Sequence, residues 1–385
     1  MTEILKLNEI SEVATSALGA NYKLVKESQA PLGIMVRSAN MHDYDIPSTV
    51  LCVGRAGAGV NNIPIDKCSE KGIVVFNTPG ANANAVKELV VCGLFLASRK
   101  ITDGIDWTNS LKGTPDISKQ VEKGKKAFVG PEITGKTLGV IGLGAIGALV
   151  ANTARALGMK VIGYDPYISI DAAWHLDNHV IKETNLNSLF AECDYITLHV
   201  PLTPGTKEFI NKDSIAKMKD GIAILNFARG ELVNNDDIIS ATKSGKVSRY
   251  VTDFACEELL CQENIICTPH IGASTPEAED NCAEMVSHQM VDFFENGNIV
   301  NSVNLPTCKV ARQGKVRITA VHKNIKNVIN SITSLISQEG INIGNLVSQS
   351  KGDYAYIIID LDENPGNDFI KKMSELENII KIRVL

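Results

Sequence analysis

Short apolar runs alternate with amphipathic segments over residues 1–91. Segment 85–100 has the periodicity and length of a helix. The earlier runs have the length of buried strands, and each ends in polar or turn residues: "YKLVKES", "GIMVRS", "TVLCVG" and "GIVVFNTP". Because strands that alternate with helices form parallel sheets, we predict a parallel sheet for this part of the chain.

A second alternation begins at Gly135. A strand at 138–143, a helix at 146–157 and a strand at 160–165 are predicted to form one strand–helix–strand unit. Four later runs are typical of strands ("CDYITLHVP", "GIAILNFARG", "RYVTDF" and "NIICTPH"), and two polar segments between them are typical of helices ("NKDSIAKMK" and "NNDDIISATKSG"). These patterns predict a second parallel sheet.

Segment 276–296 has a long amphipathic pattern with proline and acidic residues at its start, which predicts a helix. A polar stretch at 304–314 resembles a linker, and the tail 315–385 has a βαββαβ order of its own. The chain is therefore predicted to be an α/β protein with two doubly wound parallel-sheet domains and a small C-terminal domain.

Composition excludes several classes of function. A formal net charge of −6 carries no basic excess, so we do not expect a nucleic-acid partner. No apolar run is long enough to span a bilayer, and "MTEILKLNEI" lacks the core of a signal peptide, so we expect a soluble, cytoplasmic protein with no membrane partner. The nine cysteines are odd in number and contain no CxxC pair, which favours reduced thiols; we expect no metal, although Cys256, Cys261 and Cys267 lie near His270.

The hexamer "GLGAIG" has the G-x-G-x-x-G pattern and lies between a predicted strand and a predicted helix. Gly142 would permit a tight turn, Gly144 would let a pyrophosphate approach, and Gly147 would let the helix pack on the strand. Asp165 ends the next strand, where a carboxylate accepts hydrogen bonds from ribose hydroxyls and repels a 2′-phosphate. This pattern predicts NAD as the cofactor.

Three polar segments each follow a predicted strand of the same sheet. They contain Arg229 in "NFARGELV", Asp253 in "TDFACEEL" and His270 in "TPHIG". Ligands of such sheets bind at the carboxyl ends of the strands. Oxidation of a secondary alcohol needs a base for the hydroxyl proton, and a guanidinium is well suited to hold a neighbouring carboxylate.

The glycine loop and these segments, with "TPHIGAST", together resemble the D-isomer-specific 2-hydroxyacid dehydrogenases. The segments "VGRAGAGVNNIP" and "FNTPGANANAVKEL" and the C-terminal unit are similar to members that act on a phosphorylated acid. The resemblance implies NAD-dependent oxidation of 3-phospho-D-glycerate to 3-phosphohydroxypyruvate, the first step of L-serine biosynthesis. Another small D-2-hydroxy acid (hydroxypyruvate, glycerate or 2-oxoglutarate) is the alternative substrate. A homodimer or homotetramer is also implied.

The resemblance further implies how the domains divide along the chain. A discontinuous substrate-binding domain would comprise residues 1–91 and 272–303, and a Rossmann-type NAD-binding domain residues 92–271. Residues 304–314 would be the linker, and residues 315–385 an ACT-like regulatory domain, a module that binds amino acids.

By the same resemblance, Arg229 is the carboxylate-binding arginine and His270 the acid/base. The glutamate that supports His270 is Glu258 or its neighbour Glu257, and we favour Glu258. The choice stays open because Leu259 replaces the proline that usually follows this glutamate in the family. Loss of any of the three would instead favour a non-enzymatic NAD-binding protein. The implied cofactor-binding residues are Gly142, Gly144, Ala145, Ile146, Gly147, Asp165, Thr206, Phe227, Ala228, Arg229, Asp253, His270, Gly272 and Ala273.

A phosphorylated acid needs a cation for each anionic end and N–H donors between them. Two arginines end predicted strands, and a loop rich in glycine and alanine follows the second. The predicted substrate-binding residues are Arg37, Arg55, Ala56, Gly57 and Asn82. Which arginine binds the phosphate stays open.

In the C-terminal unit, His322, Asn324 and Asn342 match the positions at which serine-sensing members of the family bind their effector. The family's Pro-Gly pair is replaced by Lys326 and Asn327, whose side chains we expect to crowd the helix start. There are therefore two hypotheses for the C-terminal unit: it binds L-serine as an effector, or it serves in assembly alone.

Overall fold

The computed structural model describes residues 1–385, with all side chains except those of Asp171 and Asn367. The chain separates into two compact units: the first comprises Met1–Asn82 and Pro276–Leu385, and the second comprises Ala83–Thr275. The domain boundaries expected from the sequence stay a prediction.

The elements before residue 83 are β1 Thr2–Lys6, α1 Val13–Leu18, β2 Tyr22–Val25, β3 Gly33–Val36, β4 Cys52–Arg55, α2 Ile65–Glu70 and β5 Val74–Phe76. The elements of the second unit are α3 Ala83–Ser98, α4 Ile101–Ser110, α5 Ile117–Gly124, β6 Thr137–Ile141, α6 Ala145–Ala156, β7 Lys160–Tyr164, α7 Ile170–Trp174, β8 Ile181–Lys182, α8 Leu186–Glu192, β9 Tyr195–Leu198, α9 Lys212–Ala216, β10 Ile222–Asn226, α10 Asn235–Lys243, β11 Val247–Thr252 and β12 Ile265–Cys267. The remaining elements are α11 Pro276–Asn296, β13 Val316–Lys323, α12 Val328–Gln338, β14 Ile343–Lys351, β15 Tyr354–Leu361, α13 Gly366–Ser374 and β16 Ile379–Val384. Short 3₁₀ helices lie at Lys125–Phe128 and Gly230–Leu232.

The first unit contains a five-stranded parallel sheet in the order β2-β1-β3-β4-β5. Its strands β3, β4 and β5 are buried along almost their whole length, as is typical of parallel sheets. Strand β1, which pairs with β2 and β3, was not among the predicted strands, since its five residues carry only two buried apolar side chains, Ile4 and Leu5. The order of the strands reverses between β1 and β3, which creates a crevice at their carboxyl ends.

The second unit contains a seven-stranded sheet in the order β12-β11-β10-β9-β6-β7-β8, and every adjacent pair is parallel. The predicted strand–helix–strand unit is confirmed as β6, α6 and β7. The predicted fold class, with two doubly wound parallel sheets and a C-terminal βαββαβ unit, is also confirmed.

The C-terminal sheet is antiparallel, in the order β14-β15-β13-β16. One face packs on α12 and α13, and the other contributes Val321, Tyr356 and Ile358 to the core that contains Phe293 and Phe294 of α11. The C-terminal sheet and α11 therefore share one hydrophobic core within the first unit.

A buried ion pair lies between these elements. The Arg317 guanidinium donates to both carboxylate oxygens of Asp360, at 2.7 and 2.8 Å, and both side chains are fully buried. Arg317 Nη1 also donates to the carbonyl oxygens of Asn296 and Val310. Burial alone would raise the pKa of Asp360, but hydrogen bonds from Arg317 and from the Gln313 amide lower it, so the carboxylate stays charged.

All nine cysteines are free thiols. Among the side chains that the structure describes, no group of three or more His, Cys, Asp or Glu residues could hold a metal ion. Among the described residues, no helix is both long enough and apolar enough to cross a bilayer.

Candidate active site

The glycine loop connects β6 to α6 in the second unit. Gly142 has φ +91°, a left-handed conformation that glycine adopts without strain. A Cβ on Gly147 would lie 1.9 Å from the Gly142 carbonyl oxygen, so only glycine fits where the helix packs on the loop. A Cβ on Gly144 would meet no atom within 4 Å, so the loop is open on that side.

The first turn of α6 supplies N–H donors beside this open position. The first intrahelical bond runs from the Ala148 N–H to the Gly144 carbonyl, at 3.0 Å. The N–H groups of Ala145, Ile146 and Gly147 precede that bond, as in every helix start. Such groups, with the helix dipole, favour an anion.

Asp165 follows β7 and is half-buried beside the loop. Its Oδ2 accepts the Leu143 N–H and its Oδ1 accepts the Tyr167 N–H, both at 2.8 Å. Since each carboxylate oxygen can accept more than one hydrogen bond, the side chain is held in place and keeps capacity for hydroxyl donors.

His199, which sequence analysis did not single out, follows β9 and also lies against the loop. Its carbonyl would be 2.6 Å from a Cβ on Gly142, and its own Cβ 3.4 Å from one on Gly147. Burial lowers the pKa of His199 to about 3, so the ring is neutral, and its Nε2 pairs with the Thr197 hydroxyl at 3.0 Å. The sequence feature that could have identified His199 is its position directly after an apolar strand.

Arg229 is exposed in the loop after β10, and the buried side chain of Asn226 holds this loop. Asn226 Nδ2 donates to the Arg229 carbonyl at 2.8 Å, and its Oδ1 accepts the Ala228 N–H at 3.2 Å. The Asn226 carbonyl in turn accepts the Thr252 hydroxyl, whose oxygen accepts the Phe254 N–H. Asn226, which the sequence pattern did not identify, thus links the Arg229 loop to the Asp253 loop.

Asp253 follows β11 and is buried. Its Oδ2 accepts the Gly272 N–H at 3.2 Å, whereas its Oδ1 is buried with no hydrogen-bond partner among the described residues. Burial raises the pKa of Asp253, and the nearby charges of His270 and Arg229 act against that rise. The structure therefore brings Arg229, Asp253 and His270 together, with one acceptor atom unused.

His270 is exposed, and its ring packs on that of Phe254 with centroids 4.7 Å apart. The described side chains include no carboxylate within ion-pair distance of it. Glu258 is exposed, and the neighbouring Cys256 thiol lowers the pKa of its carboxyl group. Glu257 is exposed as well. The structure does not bring either glutamate onto His270, and their predicted role stays a prediction.

The other predicted cofactor residues of this unit lie in the loops after its strands. Thr206 is half-buried and its hydroxyl donates to the Pro201 carbonyl at 2.7 Å. Phe227 is buried and Ala228 half-buried after β10. Gly272 is buried beside Asp253, and Ala273 follows it.

The predicted substrate-binding residues lie in the first unit. Arg37 Nη1 forms an ion pair with Glu279 Oε1 at 2.6 Å, and Arg55 Nε donates to the Arg37 carbonyl at 3.1 Å. Ala56 is buried, and its N–H donates to the Val36 carbonyl at 2.8 Å. Gly57 lies under the Arg55 guanidinium, since a Cβ there would be 2.0 Å from Nη1. Asn82 is half-buried.

The predicted effector residues lie in the C-terminal sheet and its loops. His322 is buried, with Nδ1 paired with the Lys323 carbonyl at 2.8 Å, and the described residues offer no hydrogen-bond partner for its Nε2. Asn324 Nδ2 donates to the Gly352 carbonyl at 2.9 Å, and Asn342 Nδ2 to Asp362 at 2.6 Å. Asn327 has φ +71°, so it adopts the backbone conformation that a glycine would take.

The residues of the second unit fit a dinucleotide. The open position at Gly144 admits a pyrophosphate at the start of α6, and the Asp165 carboxylate is placed for ribose hydroxyls. The unpartnered Asp253 Oδ1 suits an amide donor such as the nicotinamide carboxamide.

Residues 97–272 match the model of the NAD-binding domain of the D-isomer-specific 2-hydroxyacid dehydrogenases. The chain is 31% identical to D-3-phosphoglycerate dehydrogenase of Haemophilus influenzae, over 87% of this chain and 81% of that protein. It is 37% identical to the D-3-phosphoglycerate dehydrogenase of Methanocaldococcus jannaschii over 81% of this chain. The alignment spans only 59% of the M. jannaschii protein and 52% of the human one.

A crystal structure of NAD⁺-bound 3-phosphoglycerate dehydrogenase from Entamoeba histolytica is similar to this chain, with a TM-score of 0.61 and 28% identity. The similarity covers 79% of this chain and 98% of that protein. A D-mandelate dehydrogenase from Rhodotorula graminis, at 21% identity and a TM-score of 0.67, has the same fold.

The glycine loop gives a testable contrast between two substitutions. Gly147→Ala puts a methyl against the Gly142 carbonyl and should lower the free energy of unfolding by about 1–3 kcal/mol. Gly144→Ala meets open space and an ordinary φ of −70°, so stability should stay within about 0.5 kcal/mol while NADH binding weakens. Urea denaturation and a fluorescence titration with NADH measure the two effects. Normal NADH binding by Gly144→Ala would contradict the proposed position of the pyrophosphate.

Proposed function

Because the chain belongs to the D-isomer-specific 2-hydroxyacid dehydrogenase family, we propose that it oxidises 3-phospho-D-glycerate to 3-phosphohydroxypyruvate with NAD as cofactor. This reaction is the first step of L-serine biosynthesis, and the proposal places it in the cytoplasm. The observation that carries the proposal is the grouping of Arg229 and His270 around Asp253, whose Oδ1 has no hydrogen-bond partner among the described residues. The relatives named D-3-phosphoglycerate dehydrogenase support this choice of substrate.

Arg229 is proposed to hold the substrate carboxylate. A guanidinium donates two parallel hydrogen bonds to a carboxylate, which fixes both position and orientation. Nη1 of Arg229 donates to the neighbouring Ala228 carbonyl, the exposed side chain forms no ion pair with any described residue, and its charge is free of a carboxylate partner there. The guanidinium can therefore turn toward an incoming anion without breaking an ion pair.

His270 is proposed to take the proton from the C2 hydroxyl. An exposed imidazole whose ring is held against Phe254 is accessible to a substrate and restricted in orientation. Glu258 would then stabilise the imidazolium. In the structure the exposed carboxylate lies near the Cys256 thiol, so this role requires it to turn toward His270.

Asp253 is proposed to accept a hydrogen bond from the nicotinamide carboxamide at its unpartnered Oδ1. Such a bond would orient the ring and remove the cost of an unpaired buried acceptor. The bound nicotinamide would supply the acceptor for the C2 hydride. Asp165 would bind the ribose hydroxyls, and the N–H groups of Ala145 and Ile146 the pyrophosphate.

Arg37, Arg55, Ala56, Gly57 and Asn82 are proposed to bind the substrate. The positions of the two arginines at the carboxyl ends of β3 and β4 support this proposal, because ligands of such sheets bind there. Their charge suits the phosphate of the substrate.

We also propose a homodimer or homotetramer. Neither α4 nor α5 contains a buried residue. In and after these helices, four large apolar side chains are exposed to solvent: Ile101, Ile105, Ile117 and Val129. Exposed apolar surface of this kind is typical of protein interfaces, which supports an assembly of several chains.

The choice of substrate predicts a preference that kinetics can measure. NADH oxidation should have a kcat/KM about tenfold or more higher with 3-phosphohydroxypyruvate than with hydroxypyruvate, because the two arginines at the carboxyl ends of β3 and β4 attract the phosphate. Initial rates at one ionic strength provide the comparison. Equal kcat/KM for the two acids would favour the alternative, an enzyme for an unphosphorylated D-2-hydroxy acid.

The role of His270 predicts a loss of turnover without a loss of cofactor. His270→Ala should lower kcat by about 10²–10⁴-fold, the usual contribution of an acid/base, while NADH binding stays near normal. His179→Ala, which removes an exposed histidine of the same unit, is the matched control and should leave kcat unchanged.

Turnover that survived in His270→Ala would exclude it as the base. The same assay distinguishes the two glutamates, since only the glutamate that supports His270 should shift the pH profile of kcat when replaced by Gln.

L-Serine is proposed as the effector of the C-terminal unit. The buried, unpartnered Nε2 of His322 supports a ligand there, and Asn327 keeps a glycine-like backbone. Added L-serine should lower initial rates, and His322→Ala should abolish that inhibition. Unchanged rates at saturating serine would leave assembly as the role of this unit.

A further inference from the structure

A cluster of charged side chains lies at the crevice of the five-stranded sheet. Arg37 directly follows β3 and Arg55 ends β4, so parallel pairing puts both at one edge of the sheet. Across the reversal of strand order, the Arg37 N–H donates to Asn8 Oδ1 in the loop after β1, at 3.0 Å. We call Arg37, Arg55 and Glu279 the Arg37 cluster.

The two arginines of the cluster are held in different ways. The Arg55 guanidinium is fixed by backbone, since Nε donates to the Arg37 carbonyl and Nη1 lies over Gly57. The Arg37 guanidinium is fixed by a side chain, through the 2.6 Å ion pair between its Nη1 and Glu279 Oε1. A bound anion can therefore replace the partner of Arg37 but not the backbone contacts of Arg55.

The Arg37–Glu279 pair is open to solvent. The side chains are 35% and 40% exposed, so a ligand can reach them. Glu279 lies in the first turn of α11, where the helix dipole favours a carboxylate and holds it near Arg37. A phosphate that approaches Arg37 meets this negative charge as well as the guanidinium.

We infer that Glu279 is an internal counterion that competes with the substrate phosphate for Arg37 and so sets the affinity for phosphorylated acids. This inference rests on the proposed function, which supplies the phosphate. Removal of the carboxylate leaves the Arg37 charge uncompensated and removes the repulsion. Glu279 is thus a residue that determines specificity without taking part in hydride or proton transfer.

The test uses Glu279→Gln with Glu277→Gln as the matched control. Both changes remove one acidic charge from the first turn of α11, but Glu277 forms no ion pair among the described side chains. KM for 3-phospho-D-glycerate should fall about three- to fivefold in Glu279→Gln, the upper range for exposed ion pairs. In Glu277→Gln it should stay unchanged, with kcat preserved in both variants.

Two further measurements assign the effect to Arg37 and to the phosphate. In an Arg37→Gln background, Glu279→Gln should lower KM clearly less than it does in the unsubstituted protein, because the guanidinium for which Glu279 and the phosphate compete is gone. KM for unphosphorylated D-glycerate should change less than KM for the phosphorylated acid in Glu279→Gln.

A binding measurement keeps the inference independent of turnover. Inorganic phosphate, at ionic strength held constant with KCl, should raise Tm at about three- to fivefold lower concentration in Glu279→Gln than in the unsubstituted protein or Glu277→Gln. An equal phosphate response in all three proteins, or a raised KM in Glu279→Gln, would overturn the inference. Lack of turnover of 3-phospho-D-glycerate by the unsubstituted protein would instead overturn the proposed function, and the phosphate titration would still decide the role of Glu279.

Discussion

The parallel pairing of the seven-stranded sheet is the constraint on which the candidate site depends. Because every pair of neighbouring strands is parallel, all strands end at the same edge. The glycine loop, Asp165, Arg229, Asp253 and His270 each follow a different strand, so they reach this edge although they are far apart in sequence. A change of pairing direction at one strand would carry its loop to the opposite edge.

Within that constraint, buried hydrogen bonds set the positions of the loops. The side-chain amide of Asn226 holds the Arg229 loop. The backbone carbonyl of Asn226 accepts a hydrogen bond from the Thr252 hydroxyl, which anchors the start of the Asp253 loop. A buried polar group is costly unless paired, and each polar atom of the Asn226 side chain is paired. Against this background the Oδ1 of Asp253 is informative, because it is buried and has no hydrogen-bond partner among the described residues.

The sequence predicted elements whose signals are local. The helix 276–296 agrees with α11 at both ends, since a proline and acidic residues begin it, and the predicted strand–helix–strand unit around the glycine loop agrees within a few residues. Strand β1 escaped prediction because two buried residues in five do not establish a period. The sequence did not predict the neighbours of individual side chains. Glu279 forms an ion pair with Arg37, and the Cys256 thiol lies near Glu258. Hydrophobic periodicity contains no information about either pair.

The same limit applies to Asn327, where the expectation of crowding considered only the side chain. The structure gives Asn327 a φ of +71°, and asparagine is one of the few residues besides glycine that adopt this conformation readily. The backbone at the start of α12 can thus keep its path when glycine is absent, and the change is confined to the exposed side chains of Lys326 and Asn327.

Helix α11 joins the two charged regions of the first unit. Its first turn contains Glu279, which pairs with Arg37, and the carbonyl groups of its last turn accept hydrogen bonds from Arg383 and Arg317. Acids at the start and arginines at the end both complement the helix dipole, and the arginines satisfy carbonyls that every helix leaves unpaired. Arg317 is itself fixed by buried Asp360 in the C-terminal sheet. Because one continuous helix of about 30 Å connects the buried pair to the Arg37 cluster, a displacement of the C-terminal sheet cannot leave α11 in place without breaking those bonds.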